Sequence, residues 1–154
     1  MKYVKVTGRE MIGERVFDAP RDLVWKAWTD PKIITQWWGP NGFATTTESM
    51  DLKPDGVWKF TMHGPNGRDY KNKIVYVEVT KPTRLIYRHA GDEGTEPVKF
   101  HVTVTFDEEG DKTRLMMRMV FETAAELQEV QREYGAIEGL EQTIERLGKY
   151  LAGK

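Results

Sequence analysis

Residues 123–153, TAAELQEVQREYGAIEGLEQTIERLGKYLAG, decide how the rest of the chain is read. Thr123-Ala-Ala-Glu126 has the form of a capping box, in which a hydroxyl and a carboxylate satisfy each other's orphan backbone donors at a helix start. Leu127, Val130, Tyr134, Ile137, Leu140, Ile144, Leu147 and Leu151 then recur at steps of three and four. That spacing predicts one long helix with a single apolar stripe and a charged opposite face. The stripe closes a chain of strand-like segments, so it is expected to bury against a sheet. Gross burial of such a stripe is on the order of 10–20 kcal/mol before chain entropy is subtracted. A sheet wrapped around one terminal helix is expected to leave a cavity between the two.

Upstream of that helix the apolar period is two. Residues 43–52, 69–80 and 84–90 read as strands, as do the alternations Trp58/Phe60/Met62, Val98/Phe100/Val102/Val104/Phe106 and Leu115/Met117/Met119/Phe121. Lys53-Pro54-Asp55-Gly56, Gly64-Pro65-Asn66-Gly67 and Glu108-Glu109-Gly110-Asp111 are turns, and 90–97 reads as a mobile loop. Met11, Ile12, Val16 and Phe17 mark a first strand within 10–18. Ala19-Pro20 starts a helix with Leu23, Val24, Ala27 and Trp28 on its apolar face and Trp25 on its flank. Asp30-Pro31 starts a second short helix, which Trp37-Trp38-Gly39-Pro40 ends. Short turns make the strands antiparallel neighbours. The expectation is α+β: a curved antiparallel sheet around a long C-terminal helix, two short helices after the first strand, and residues 1–154 as one domain.

The chain has 154 residues and a net charge of −1, with no Lys/Arg block to attract nucleic acid or an anionic membrane. Cysteine is absent, which excludes disulfides, thiolate metal sites and cysteine nucleophiles. The start lacks a signal-type apolar stretch and no run reaches membrane-spanning length, so a cytoplasmic location is expected.

Several stretches resemble one family. Phe17-Asp18-Ala19-Pro20 with Val24-Trp25, then Thr29-Asp30-Pro31, then Trp38-Gly39-Pro40 resemble the opening of the START-like (SRPBCC) helix-grip superfamily. More narrowly the chain is similar to the bacterial branch homologous to the activator of heat-shock-protein-ninety ATPase. Met62-His63-Gly64-Pro65-Asn66-Gly67, Tyr70 with Asn72, and Gly135-Ala136-Ile137-Glu138-Gly139 with Thr143 and Arg146-Leu147 fit one subgroup of it. The resemblance covers about residues 10–152 and implies a helix-grip fold. It leaves function open, because the superfamily includes lipid and hormone binders and polyketide cyclases. A chaperone-activating role does not pass to a lone bacterial domain on this resemblance.

Within such a fold the candidate cavity walls are Trp37, Trp38, Trp58, Phe60, Tyr76, Tyr87, Phe100 and Met117. Each of these equally suits a filled core. His89 shares its alternation with Tyr87 and Leu85, so it is expected to face inward, while His63 sits at a turn edge and His101 opposite Phe100. No histidine pair has ligand spacing, so no metal is expected, and no cofactor motif is present. Glu138 lies between Gly135 and Gly139, two glycines that suggest close approach of a strand backbone or a ligand to the helix. With Asn72, Tyr70 and His89 it is a candidate polar end for the cavity. Three readings follow. The first is capture of a small hydrophobic or amphipathic molecule. The second is a cyclase- or hydrolase-type enzyme with His89 and Glu138 as acid–base partners. The third is a protein-interaction domain using the outer sheet or exposed tryptophans, as a homodimer or with a chaperone.

Overall fold

The computed structural model describes residues 2–91 and 100–154, and the side chains of all of these except 90 and 91. From residue 92 onward the expected loop at 90–97, with Val98 after it, lies outside the described residues.

The strands are β1 (Val4–Thr7), β2 (Glu10–Phe17), β3 (Ala44–Met50), β4 (Val57–His63), β5 (Asp69–Thr80), β6 (Arg84–Gly91), β7 (Phe100–Glu109) and β8 (Lys112–Phe121). They form one antiparallel sheet in the order β1-β2-β8-β7-β6-β5-β4-β3. Between β2 and β3 come α1 (Arg21–Thr29) and α2 (Pro31–Trp37), and α3 (Ala124–Tyr134) and α4 (Ala136–Ala152) close the chain. The two expected short helices thus follow the second strand, because Val4–Thr7 adds a short edge strand that the sequence reading did not include. β2 and β3 lie far apart in the sheet, and α1 and α2 carry the chain across its inner face from β7 and β8 to β3. Pro20 precedes α1, while the Asp30 carboxylate caps α2 by accepting from the Lys32 amide at 2.9 Å with Pro31 at the first helical position.

The single long terminal helix is corrected to two. Thr123 does cap α3, its hydroxyl accepting from the Glu126 amide at 3.0 Å. Gly135 then takes φ 61°, ψ 46°, a left-handed conformation that ends α3 and turns the chain into α4. The stripe breaks there: Tyr134 is 61% exposed, while Leu140, Ile144, Leu147 and Leu151 on α4 are buried.

Close approach is permitted elsewhere, by Gly148 on α4, over which the Arg15 guanidinium lies, and by Gly13 on the sheet. A Cβ on Gly13 of β2 would stand 2.9 Å from Ile144 Cδ1 and 3.1 Å from Leu140 Cδ2. On α4 itself, a Cβ on Gly139 would meet only Pro40 Cβ, at an ordinary 3.9 Å. The far side of α4 is held by Arg146, whose Nη1 donates to the carbonyls of Gly39 and Pro40 at 2.9 and 3.1 Å. Its N-terminal half grips the edge: the Glu141 carboxylate accepts from the amides of Tyr3 and Val4 at 2.7 and 2.6 Å. The Tyr3 hydroxyl donates to Glu145 at 2.7 Å.

Two predictions follow from this seating. Gly13→Val forces branched carbons into the α4 contact and is expected to destabilise by about 1–3 kcal/mol, read from urea unfolding. The Tyr3 hydroxyl holds the Glu145 carboxyl below the usual carboxylate range. A depressed folded value stabilises above the unfolded value and is lost as pH falls. Thermal unfolding followed by circular dichroism is therefore expected to show a steeper loss of Tm for the parent than for Tyr3→Phe between about pH 5 and about pH 3.

Candidate functional site

The inner face of the sheet is covered by aromatic rings. Trp28 of α1 meets Trp37 and Trp38 edge-on at 5.1 and 5.6 Å, and Trp38 meets Trp58 of β4 at 5.0 Å. Trp58 stacks on Phe60 at 4.0 Å. The Trp37 indole donates to the Ala27 carbonyl at 3.0 Å and the Trp58 indole to the Thr47 hydroxyl at 3.1 Å. Trp28 Nε1 is buried with no hydrogen-bond partner among the described residues.

This packing leaves little room. The void bounded by Trp28, Trp38, Trp58, Tyr76 and Tyr87 measures about 10 Å³, about the volume that one water centre needs. Burial pushes both tyrosine hydroxyls well above their usual pKa, so they remain protonated. Trp37, Trp58, Phe60, Tyr76, Tyr87 and Met117 are core residues here, and Trp38 is half-buried. Exposed tryptophans are therefore not a feature of this surface, and Trp25, expected on a flank, is 4% exposed against Phe106.

A larger space lies elsewhere, at the ends of β6, β7 and β8. It has a volume of about 350 Å³ and is lined by Arg9, Arg88, His89, Phe100, His101, Val120, Phe121 and Glu122. His89 does share the inward alternation of Tyr87, and its ring lies parallel to Phe100 at 4.7 Å. Phe121 packs on Phe100 at 4.9 Å. His89 Nε2 hydrogen-bonds with Asn72 Oδ1 at 3.1 Å, and the Asn72 amide donates to the Tyr70 carbonyl at 3.0 Å. Arg9 Nη1 donates to the Phe121 carbonyl at 3.4 Å, which sets its guanidinium on the rim.

The four expected polar groups are thus only partly assembled. Asn72 and His89 are joined, and Tyr70 reaches them through its backbone, its ring lying against Phe43 and under Arg68. Glu138 stands apart, exposed on α4, where the Gln131 amide donates to its carboxylate at 2.9 Å and holds its pKa down. Of the expected acid–base partners, His89 is thus bonded to Asn72 and Glu138 to Gln131 of α3.

The sequence reading missed Phe121, Arg9, Arg88, Val120 and Glu122 as lining residues. Phe121 was legible from its alternation with Met117 and Met119. Arg9 and Arg88 come to the space through a turn and a strand register, for which the sequence carries no signal. His63 lies on the outer face, its Nδ1 2.7 Å from Asp69 Oδ1 and its Nε2 2.9 Å from the Thr46 hydroxyl. That chain ties β3, β4 and β5 together away from the cavity. Among the described residues no group of three or more His, Cys, Asp or Glu could hold a metal. No helix among them is long and apolar enough to cross a membrane.

A curved antiparallel sheet with an aromatic interior closed by a C-terminal helix is the helix-grip architecture of START-like proteins. The chain belongs to the family described as Activator of Hsp90 ATPase homolog 1-like protein, which matches residues 18–152. It is similar to the solution structure of a protein from Arthrobacter aurescens, with 26% identity, TM-score 0.90, and 98% of this chain and 91% of that one covered. It is also similar to the crystal structure of protein Ms6760 from Mycobacterium smegmatis, with 27% identity, TM-score 0.85, and 97% and 96% covered. A family protein from Silicibacter pomeroyi shares the fold at 22% identity and TM-score 0.75, with 93% of this chain and 97% of that one covered. No curated protein matches.

The two buried indoles of α1 and α2 differ in one respect that can be measured. Trp37 has a partner for its N–H and Trp28 has none, so Trp28→Phe is expected to cost about 1–2 kcal/mol less than Trp37→Phe in urea unfolding.

Proposed function

We propose that this protein is a small-molecule binding domain for an amphipathic ligand, and that its site is the strand-end cavity rather than the space beneath α4. The observation that carries this reading is the contrast between about 350 Å³ at the strand ends and about 10 Å³ in the interior. Drug-sized ligands occupy pockets from about 300 Å³ upward. Phe100 and Val120 offer apolar contacts, and Arg9, Arg88 and His101 offer donors on the rim with Glu122 beside them. A ligand with an apolar body and an anionic head suits that lining. His89, oriented by Asn72, stands between the two parts of the wall.

In this reading Trp37, Trp38, Trp58, Phe60, Tyr76, Tyr87 and Met117 act as a packed, rigid floor, while Tyr70 and Glu138 lie outside the contact surface. The location expected between sheet and helix is thus replaced by one at the end of the same sheet.

The test is titration of ¹⁵N-labelled protein with 1-anilinonaphthalene-8-sulfonate, an aromatic anion. Amide shifts are expected to concentrate at residues 100–101 and 120–122. Arg88→Ala removes a charged donor worth about 1.5 kcal/mol, so affinity is expected to fall about tenfold. Shifts centred on α4, or affinity unchanged in Arg88→Ala, would refute the assignment.

A further inference from the structure

The outer face of the sheet has a part where arginines are neutralised by ion pairs and a part where cations, Arg88 of β6 among them, have no acidic partner among the described residues. On β6 and β8, Arg84 pairs with Glu78, Arg114 with Glu109 and Arg118 with Glu10. On β4 and β5 the register sets Lys59 directly opposite Lys73, and Lys71 lies two residues further along the same face. Among the described residues none of these three lysines has an acidic partner, whereas the nearby Asp69 is engaged by His63. Like charges directly opposed across strands destabilise a sheet. A fold that closes ion pairs elsewhere on this face keeps an opposed lysine pair here.

We propose that the outer face of β4 and β5 docks an acidic segment of a partner protein, with Lys59, Lys71 and Lys73 as its electrostatic anchor. Val57 and Val75, opposed in the same register next to the lysines, extend the face with an apolar step. An acidic segment with interspersed apolar residues complements both parts. Other polyanions fit less well. Recruitment to an anionic membrane uses clusters of about four to eight basic residues, more than this cluster offers. Nucleic-acid binding goes with a basic domain, and this chain has a net charge of −1. A second copy joined through this face alone would set lysine against lysine. This surface adjoins the strand-end cavity at Arg88, which the register sets opposite Val75, but its lysine anchor lies outside that cavity and does not depend on the small-molecule reading.

The experiment measures fluorescence anisotropy of a labelled peptide of alternating glutamate and valine with the full chain. Binding is expected to weaken at least about tenfold in Lys71→Glu/Lys73→Glu and on raising salt from about 0.05 M to about 0.3 M. Arg118→Glu, on the neutralised part, is expected to change it less than about twofold. Lys73→Glu alone is expected to raise Tm, because it turns an opposed like-charge pair into an attractive one. That readout shows the variant folded and supports the proposal. Four outcomes would overturn it: unchanged peptide affinity in the double variant, a lowered Tm in Lys73→Glu, tighter binding of phosphatidylglycerol vesicles or single-stranded DNA than of the peptide, or self-association in sedimentation that Lys73→Glu abolishes.

Discussion

The seating of α4 on β2 is the contact from which the rest of the interior takes its shape. Gly13 has no side chain, so the tips of Leu140 and Ile144 take the space that a Cβ there would occupy. From that position Arg146 faces the Trp38-Gly39-Pro40 segment and supplies donors to carbonyls that have left α2. One helix therefore links the second strand of the sheet to the segment leading into β3, at the far end of the strand order.

The filling of the interior has a functional consequence. Helix-grip folds offer a natural space inside the curved sheet, but here six ring contacts among Trp28, Trp37, Trp38, Trp58 and Phe60 fill the inner face. Large side chains close-packed in this way transmit constraint well and admit little. The larger space, lined by Phe100, His101 and Arg88 among others, lies away from the tryptophans. The chemistry of the wall changes there as well, from indoles to an arginine and histidine rim.

Much of the architecture was legible because it rests on local periodicity. The span of β5, the Asp30-Pro31 start of α2 and the Thr123 cap all follow from residues within a few positions of one another. The break at Gly135 was not read, since the apolar spacing runs through it unchanged and only the left-handed backbone reveals the turn. Gly135 and Gly139 looked like a clearance for a close neighbour. One proved to be a helix terminus, and the other meets Pro40 at ordinary contact distance. Of the candidate site, the Asn72–His89 pairing was reachable from alternation on two strands that a short turn makes neighbours. Glu138 was misplaced because its position depends on the break.

The sequence by itself determined which faces are apolar and where most elements begin and end, because those follow from the period of side chains along each segment, and its motifs carried the resemblance to the family. Only the tertiary structure decided how full the interior is and which charges meet. Volume and charge proximity depend on register and helix seating between residues far apart in the chain. Lys59 and Lys73 show the point: separated by a turn and unremarkable in sequence, they face one another because of how β4 and β5 align.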